Sequence, residues 1–276
     1  MNLYLNVMDH AVSKEDFELR EDAECGLLKT MPVPPDLDRY YQSEDYISHT
    51  DGRRSLFEKA YQLVKRHTLW RKEKLIRNCL KRSGNLLDIG AGTGDFLAYA
   101  GQKGWKTMGM EPHPMARGLA RKKDVPLVEA TTELPDASFD VVTLWHVLEH
   151  VADLDGQLAE LKRICRPNGW IVVAVPNYRS YDARHYGAFW AAFDVPRHLW
   201  HFSKTAIEKL FAAKRIRLEK TRPMYFDSFY VSLLSEKYKT GRMNTVRAMY
   251  IGLKSNLKGL FSGEFSSHVY VLRNAG

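Results

Sequence analysis

The string LLDIGAGTGDF at residues 86–96 constrains this chain more than any other stretch. A short apolar run carrying Asp88 is followed by Gly90, Gly92 and Gly94 at alternate positions, and a helix-like segment begins at once. Glycine lacks a Cβ, so the backbone turns tightly there and lets a ligand approach closely. The first turn of the next helix directs unpaired N–H groups into the same crevice. Such a turn is a nucleotide cradle at the carboxyl end of a parallel strand in a Rossmann-like sheet. The G-x-G-x-G spacing differs from the G-x-G-x-x-G of a pyrophosphate binder. It favours an adenosyl ligand that has no pyrophosphate.

A second strand is expected over residues 106–110, and Glu111 ends it about twenty residues after the glycines, where an acid accepts hydrogen bonds from ribose hydroxyls. With GMEPHP at 109–114, SFDVVTLWHVLEHV at 138–151 and RPNGWIVVAVPN at 166–177, the chain resembles class I S-adenosylmethionine-dependent methyltransferases. Within these it looks like the type 11, 12 and 23 groups and the ubiquinone-biosynthesis O-methyltransferases. The resemblance covers residues 84–275. It implies S-adenosylmethionine as methyl donor, S-adenosylhomocysteine as product, and a seven-stranded sheet of order 3-2-1-4-5-7-6 with the last strand antiparallel. Donor contacts are implied for Asp88, Gly90, Ala91, Gly92, Thr93, Gly94, Glu111 and Pro112, with His146 beside the methionine part.

From residue 85 onward, strand-like and helix-like periods alternate, the pattern of a doubly wound α/β sheet. Strands are expected near 85–89, 106–110, 125–129, 140–145, 169–175, 216–221 and 267–273. Helices are expected after Thr93 and over 114–122, 154–165 and 203–214, the last with Ser203 as N-cap. Three regions result. Residues 1–50 form a small β-rich cap, a degenerate zinc-ribbon-like leader that keeps one cysteine, Cys25, where a zinc site needs four ligands. Residues 51–83 form a basic amphipathic helix. Residues 84–276 form the methyltransferase domain, with additions at 178–202 and 224–262 over the crevice, where acceptor specificity usually resides. Residues 46–50 either line a pocket or form a simple turn.

The formal charge of +8 has one address: residues 53–82 hold eleven Lys or Arg against Glu58 and Glu73. A solvated helix face explains this most simply. The sharper readings are an anionic membrane surface or RNA. No run approaches the roughly 20 apolar residues that cross a bilayer. The N-terminus lacks the marks of a secretory signal. Cys25, Cys79 and Cys165 suit neither a disulfide framework nor a zinc site. A cytoplasmic protein is expected, and its oligomeric state is left open.

Residues 146–150, HVLEH, match a zinc-peptidase spelling that requires a long helix. The string follows a strand directly, so no metal is expected. The stretch DVPRHLWHFS at 194–203 brings His198 and His201 to the acceptor side. A histidine there either removes a proton from a hydroxyl acceptor or fixes its loop. The expected reaction is methyl transfer to a small-molecule acceptor, at oxygen before nitrogen or carbon. Tyr181, Tyr186, Phe189, Trp190, Phe193 and Trp200 offer a wall for an aromatic or lipid-soluble acceptor. A peripheral-membrane variant rests on 53–82 and 224–262. The alternatives are an RNA methyltransferase, disfavoured because no RNA-binding module is recognisable, and a non-catalytic donor-binding protein.

Overall fold

The computed structural model describes residues 1–41 and 56–276. The stretch 46–50 and the first residues of the basic segment lie outside them. Strand β4 (Asn85–Ile89) starts the main sheet, followed by α2 (Asp95–Gln102), β5 (Lys106–Met110), α3 (Pro114–Arg121), β6 (Leu127–Val128) and β7 (Phe139–Trp145). Then come α4 (Leu154–Ile164), β8 (Cys165–Pro176), α6 (Lys204–Ala213), β10 (Ile216–Pro223) and β11 (Ser267–Asn274), with α5 (Tyr181–Tyr186) and β9 (Trp200–His201) between β8 and α6. The order is β10-β11-β8-β7-β4-β5-β6, and β11 runs antiparallel to both neighbours. This is the expected α/β order 3-2-1-4-5-7-6. The central strand β7 (FDVVTLW) is buried along six of its seven residues, as a parallel strand covered by helices on both faces must be.

Two boundaries depart from expectation. The third parallel strand shrinks from 125–129 to Leu127–Val128, because Pro126 can give only its carbonyl, which accepts from Gly109 N at 2.9 Å. Strand β8 begins at Cys165 instead of 169. Phe139 pairs with Cys165, then the register shifts, so that Val141 faces Trp170. Asn168 takes φ +60° within that irregularity.

A second sheet holds β1 (Asn2–Met8), β2 (Asp16–Asp22), β3 (Leu27–Met31) and β9, all antiparallel. Leu28 pairs with His201 and Lys29 with Trp200, which ties the N-terminal strands to the addition that follows β8. Between them lies a separate apolar core containing Leu19, Leu28, Tyr40, Tyr178, Trp190 and Phe193. Tyr186, Trp190 and Phe193, expected in an acceptor wall, are instead 2% exposed within this core. The aromatic richness of 178–202 therefore serves mainly to seal two layers together.

The second addition is a helical hairpin, α7 (Asp227–Thr240) and α8 (Thr245–Ser262). The helices approach closely at Gly252, where a Cβ would meet Phe229 Cδ1 at 2.7 Å. Helix α1 (Leu56–Leu80) runs into the main core through Ile76, while Glu73 Oε1 accepts from Trp105 Nε1 at 3.1 Å. Ser203 caps α6, its Oγ accepting from Ala206 N at 3.1 Å and donating to Gly26 O at 3.3 Å. Ser203→Ala removes both bonds. A loss of about 1 kcal/mol is expected from the cap alone, to be read from the urea midpoint.

Candidate functional site

The glycine turn is built by the end of β4. Gly90 N and Ala91 N both donate to Met110 O, at 2.8 and 3.0 Å, which pins the turn to β5. Gly90 has φ +71°, and a Cβ there would meet Val147 Cγ2 at 2.4 Å. At Gly94, with φ +74°, a Cβ would meet the Ala120 Cβ at 2.8 Å. Gly92 differs: its φ is +54° and nothing stands within 4 Å of where a Cβ would be. Gly90 and Gly94 serve packing, and Gly92 between them opens onto the crevice.

Glu111 is 8% exposed and has both oxygens engaged. Oε2 accepts from Gly92 N at 2.8 Å and Oε1 from His113 N at 2.9 Å. The carboxylate thus stands across the mouth of the glycine turn, aligned by backbone donors. Arg117 Nη1 donates to the Pro112 carbonyl at 2.6 Å, and Thr93 Oγ1 donates to Asp95 Oδ2 at 2.8 Å. Asp88 is buried and accepts from Thr143 Oγ1 at 2.5 Å. Burial pushes its pKa up to about 7, although the Lys72 ammonium and the Thr143 hydrogen bond act the other way. Lys72 reaches in from α1, its Nζ 4.3 Å from the Trp145 ring centre. Burial lowers its pKa against the pull of Asp88 and Asp227.

At the end of β7 the chain turns sharply through His146, which takes φ +57°, a costly conformation for a residue other than glycine. Its Nδ1 lies 3.2 Å from Glu149 Oε1 and its Nε2 lies 3.3 Å from Asp227 Oδ2. Burial opposes a charge here, yet the two carboxylates outweigh it and hold the pKa up at about 10. The ring keeps 37% of its side-chain surface accessible, so solvent screens part of that attraction. Two acidic partners at these distances still fix the direction. His146 is a cation at neutral pH, and it ties α7 to the end of β7.

Behind it Glu149 is 1% exposed. Burial alone would raise its pKa, but the hydrogen bond and charge of His146 hold it below the ordinary carboxylate range. Leu199 N donates to Glu149 O at 2.8 Å, bringing the 194–203 stretch against the crevice. His198 and His201 face different surroundings. His198 Nδ1 lies 2.9 Å from Ala192 O, and its ring centre is 4.6 Å from that of His150. Burial lowers its pKa well below the ordinary value. His201 sits one layer deeper, in the second sheet. Thr30 Oγ1 donates its single proton to His198 O at 2.6 Å, so the 2.9 Å contact with His201 Nε2 requires the imidazole to donate. That N–H is no proton acceptor. Burial drives the His201 pKa down to about 3.

Sequence reasoning missed Lys72, Thr143 and Asp227. Lys72 belongs to a helix read only by net charge, and Asp227 stands 81 positions beyond the histidine it meets. Nothing local announced either contact.

Comparison with known proteins agrees with this fold. The family model described as a methyltransferase domain matches residues 59–214. A demethylmenaquinone methyltransferase of Beutenbergia cavernae is 32% identical over 136 residues, 46% of this chain and 56% of its own length. The ubiquinone/menaquinone biosynthesis C-methyltransferase UbiE of Francisella tularensis subsp. holarctica is 28% identical over 122 residues, 39% of this chain and 48% of its own. The chain thus spans about half the length of the curated relatives it matches. Among solved structures, a putative sarcosine dimethylglycine methyltransferase from Galdieria sulphuraria superposes with a TM-score of 0.54 at 14% identity, covering 88% of this chain and 92% of that one. A possible histamine N-methyltransferase from Thermotoga maritima gives 0.52 at 21% identity, covering 78% and 93%. The structural likenesses are likenesses of fold. A family model that fits more than half the sequence, laid over a glycine turn, an acid-ended β5 and an antiparallel β11 in the expected order, shows that this chain belongs to the methyltransferase domain family.

Proposed function

We propose that this chain transfers a methyl group from S-adenosylmethionine to a hydroxyl oxygen of a small, lipid-soluble acceptor. The observation that carries the donor half is the pairing of Gly92 N with Glu111 beside open space at Gly92. Bound there, S-adenosylmethionine supplies an already activated methyl sulfonium and leaves as S-adenosylhomocysteine. Asp88, Gly90, Ala91, Gly92, Thr93 and Gly94 would hold it through backbone and carboxyl contacts, Glu111 and Pro112 would flank the ribose, and His146 would lie by the methionine part. The chain's task is then alignment and exclusion of water, and holding two reactants aligned can lower a barrier by roughly 7–11 kcal/mol. His198, uncharged and with Nδ1 engaged by a carbonyl, keeps its Nε2 lone pair for an acceptor's proton. His201 supports it from behind through Thr30.

Carbon is the second reading for the acceptor atom, because the UbiE relatives are named C-methyltransferases. Turnover of labelled S-adenosylmethionine with a panel of apolar phenols and hydroquinones tests both. A methyl signal at the shift of a methoxy group supports oxygen, and one at the shift of a ring methyl supports carbon. No transfer to any member sinks the acceptor class.

Helix α8 supports a lipid-soluble acceptor. Its inward face is small (Ala248, Gly252, Ser255, Gly259), while Val246, Tyr250, Leu253, Leu257, Leu260 and Phe261 form an outward stripe. Phe261 is 92% exposed and Val246 82%. The α7–α8 hairpin carries Lys237, Lys239, Arg242, Arg247, Lys254 and Lys258 against the acids Asp227 and buried Glu236. Two copies meeting across a two-fold axis would oppose like charges, whereas an anionic bilayer satisfies both the apolar and the basic character. Among the described residues, no helix is long and apolar enough to cross a membrane. Sedimentation with phosphatidylglycerol vesicles is expected, weakened at least tenfold in Leu253→Glu/Leu257→Glu. Equal retention of variant and parent would remove the docking face.

A further inference from the structure

We propose that Glu149, His150 and His198 form a site for one first-row transition-metal dication at the acceptor side of the crevice. One nitrogen of each imidazole and one oxygen of the carboxylate lie within 4.8 Å of one another. A cluster of that kind is common without an ion, so the case rests on how each member is held.

Both imidazoles are fixed in the same tautomer. His150 Nδ1 lies 3.0 Å from Arg197 O, and His198 Nδ1 lies 2.9 Å from Ala192 O. A carbonyl only accepts, so each Nδ1 carries the proton and each Nε2 keeps its lone pair. Tyr41 Oη, 3.2 Å from His150 Nδ1, shares the same proton. Metal-ligating histidines almost always show this arrangement, the distal N–H donated to a carbonyl or carboxylate that sets tautomer and ring orientation.

The third member supplies an independent observation. Glu149 Oε1 engages His146, but its buried Oε2 has no hydrogen-bond partner among the described residues. A carboxylate oxygen desolvated without a donor is costly, and such groups are rare in folded proteins. A cation between Oε2 and the two Nε2 atoms removes that cost. The backbone is also firm. Glu149 and His150 sit in the 3-10 turn Leu148–His150, Leu199 N donates to Glu149 O, and Thr30 Oγ1 clamps the carbonyl of His198. Tetrahedral bonds of about 2.0–2.1 Å to nitrogen bring ligand atoms to roughly 3.4 Å apart, so small side-chain rotations close the set.

Two imidazoles and one carboxylate select the metal class. This donor set suits Zn²⁺, Fe²⁺, Co²⁺ or Mn²⁺ and not the all-oxygen shells of Mg²⁺ and Ca²⁺. The membership also differs from the H-x-x-E-H spelling in the sequence. His146, the first histidine of that string, is turned to Glu149 Oε1 and Asp227, and its place is taken by His198 from 52 residues away. The metal-free expectation is thereby revised. Asp194 Oδ2 lies 3.8 Å from His198 Nε2 but is occupied by Arg197. Three protein ligands leave a position open, and a hydroxyl oxygen bound there would be acidified. That last role rests on the proposed methyl transfer, whereas metal binding does not. If it holds, the Nε2 lone pair of His198 belongs to the metal instead of the acceptor's proton.

The test uses the full chain without a histidine tag, stripped by chelator. Titration with Co²⁺ is expected to give one site per chain with visible ligand-field absorption, displaced by Zn²⁺ and unaffected by tenfold Mg²⁺. His198→Ala and the less buried His150→Ala should each weaken Co²⁺ binding at least tenfold. Absence of the absorption in the parent chain, unchanged affinity in both variants, or displacement by Mg²⁺ would overturn the assignment. S-adenosylmethionine affinity in the same samples separates the two proposals. Donor binding without Co²⁺ binding removes this site alone, and Co²⁺ binding without donor binding leaves it standing while the donor reading falls.

Discussion

Gly92→Arg is expected to lower S-adenosylmethionine affinity at least 100-fold while the chain stays folded. The side chain would grow from the one glycine of the turn whose Cβ meets nothing within 4 Å, so it fills the crevice without touching the core. Its backbone cost is limited. Holding a non-glycine residue at φ +54° costs about 1–2 kcal/mol, an amount a domain of this size tolerates. Gly90→Ala is the contrasting variant, since its Cβ would strike Val147 at 2.4 Å. It should lose stability first and donor binding only as a consequence. Calorimetric titration beside thermal melts distinguishes them. Parental affinity in a folded Gly92→Arg chain would mean that the donor lies elsewhere.

Acidification should unfold the protein earlier than its carboxylates alone would. Burial depresses His201 to about 3 and His268 to about 4. Both are neutral in the fold, while the unfolded chain takes up protons below about 6.5. Their contribution is therefore intact above pH 6.5 and is lost as the pH falls toward 4. Asp88 works in the opposite sense. With its pKa raised to about 7, the folded state gains a proton between pH 7 and the ordinary carboxylate range, which adds stability there. His198, which burial also holds well below its ordinary value, acts in the same direction, so at least two protons are refused against one accepted and the net is at least one, or about 1.4 kcal/mol per pH unit. At least about 2 kcal/mol should disappear between pH 6.0 and 4.5. Urea denaturation at stepped pH reads this directly. His201→Gln keeps an amide donor for Thr30 and should flatten the slope, and Asp88→Asn should steepen it. Stability that is level or rising on acidification across this window contradicts the argument.

The fold was legible because its strongest signals are local. An acid and three glycines in eleven residues specify a turn that only the end of a parallel strand provides, and Glu111 follows at the distance one helix and one strand require. Boundaries were less legible where a single residue overrode a pattern. Pro126 cut the third parallel strand short, and the irregularity after Phe139 let β8 start early. The aromatic stretch 178–202 misled for a different reason. Composition announces burial without saying against what, and Trp190 and Phe193 found their partners in the N-terminal strands.

By itself the sequence determined the glycine turn and the acid across from it, which depend on neighbours within some twenty positions, while the sheet order followed from the family resemblance. Tertiary structure decided the rest. It brought Lys72 from α1 toward Asp88, set His146 between Glu149 and Asp227, gave His201 to a threonine of the first strands, and gathered Glu149, His150 and His198 into one cluster. Three of those meetings, His146 with Asp227, His201 with Thr30 and His198 with Glu149, join residues dozens to more than a hundred positions apart. Their distances follow from how the two sheets and the α7–α8 hairpin close on one another, and no local propensity carries that information.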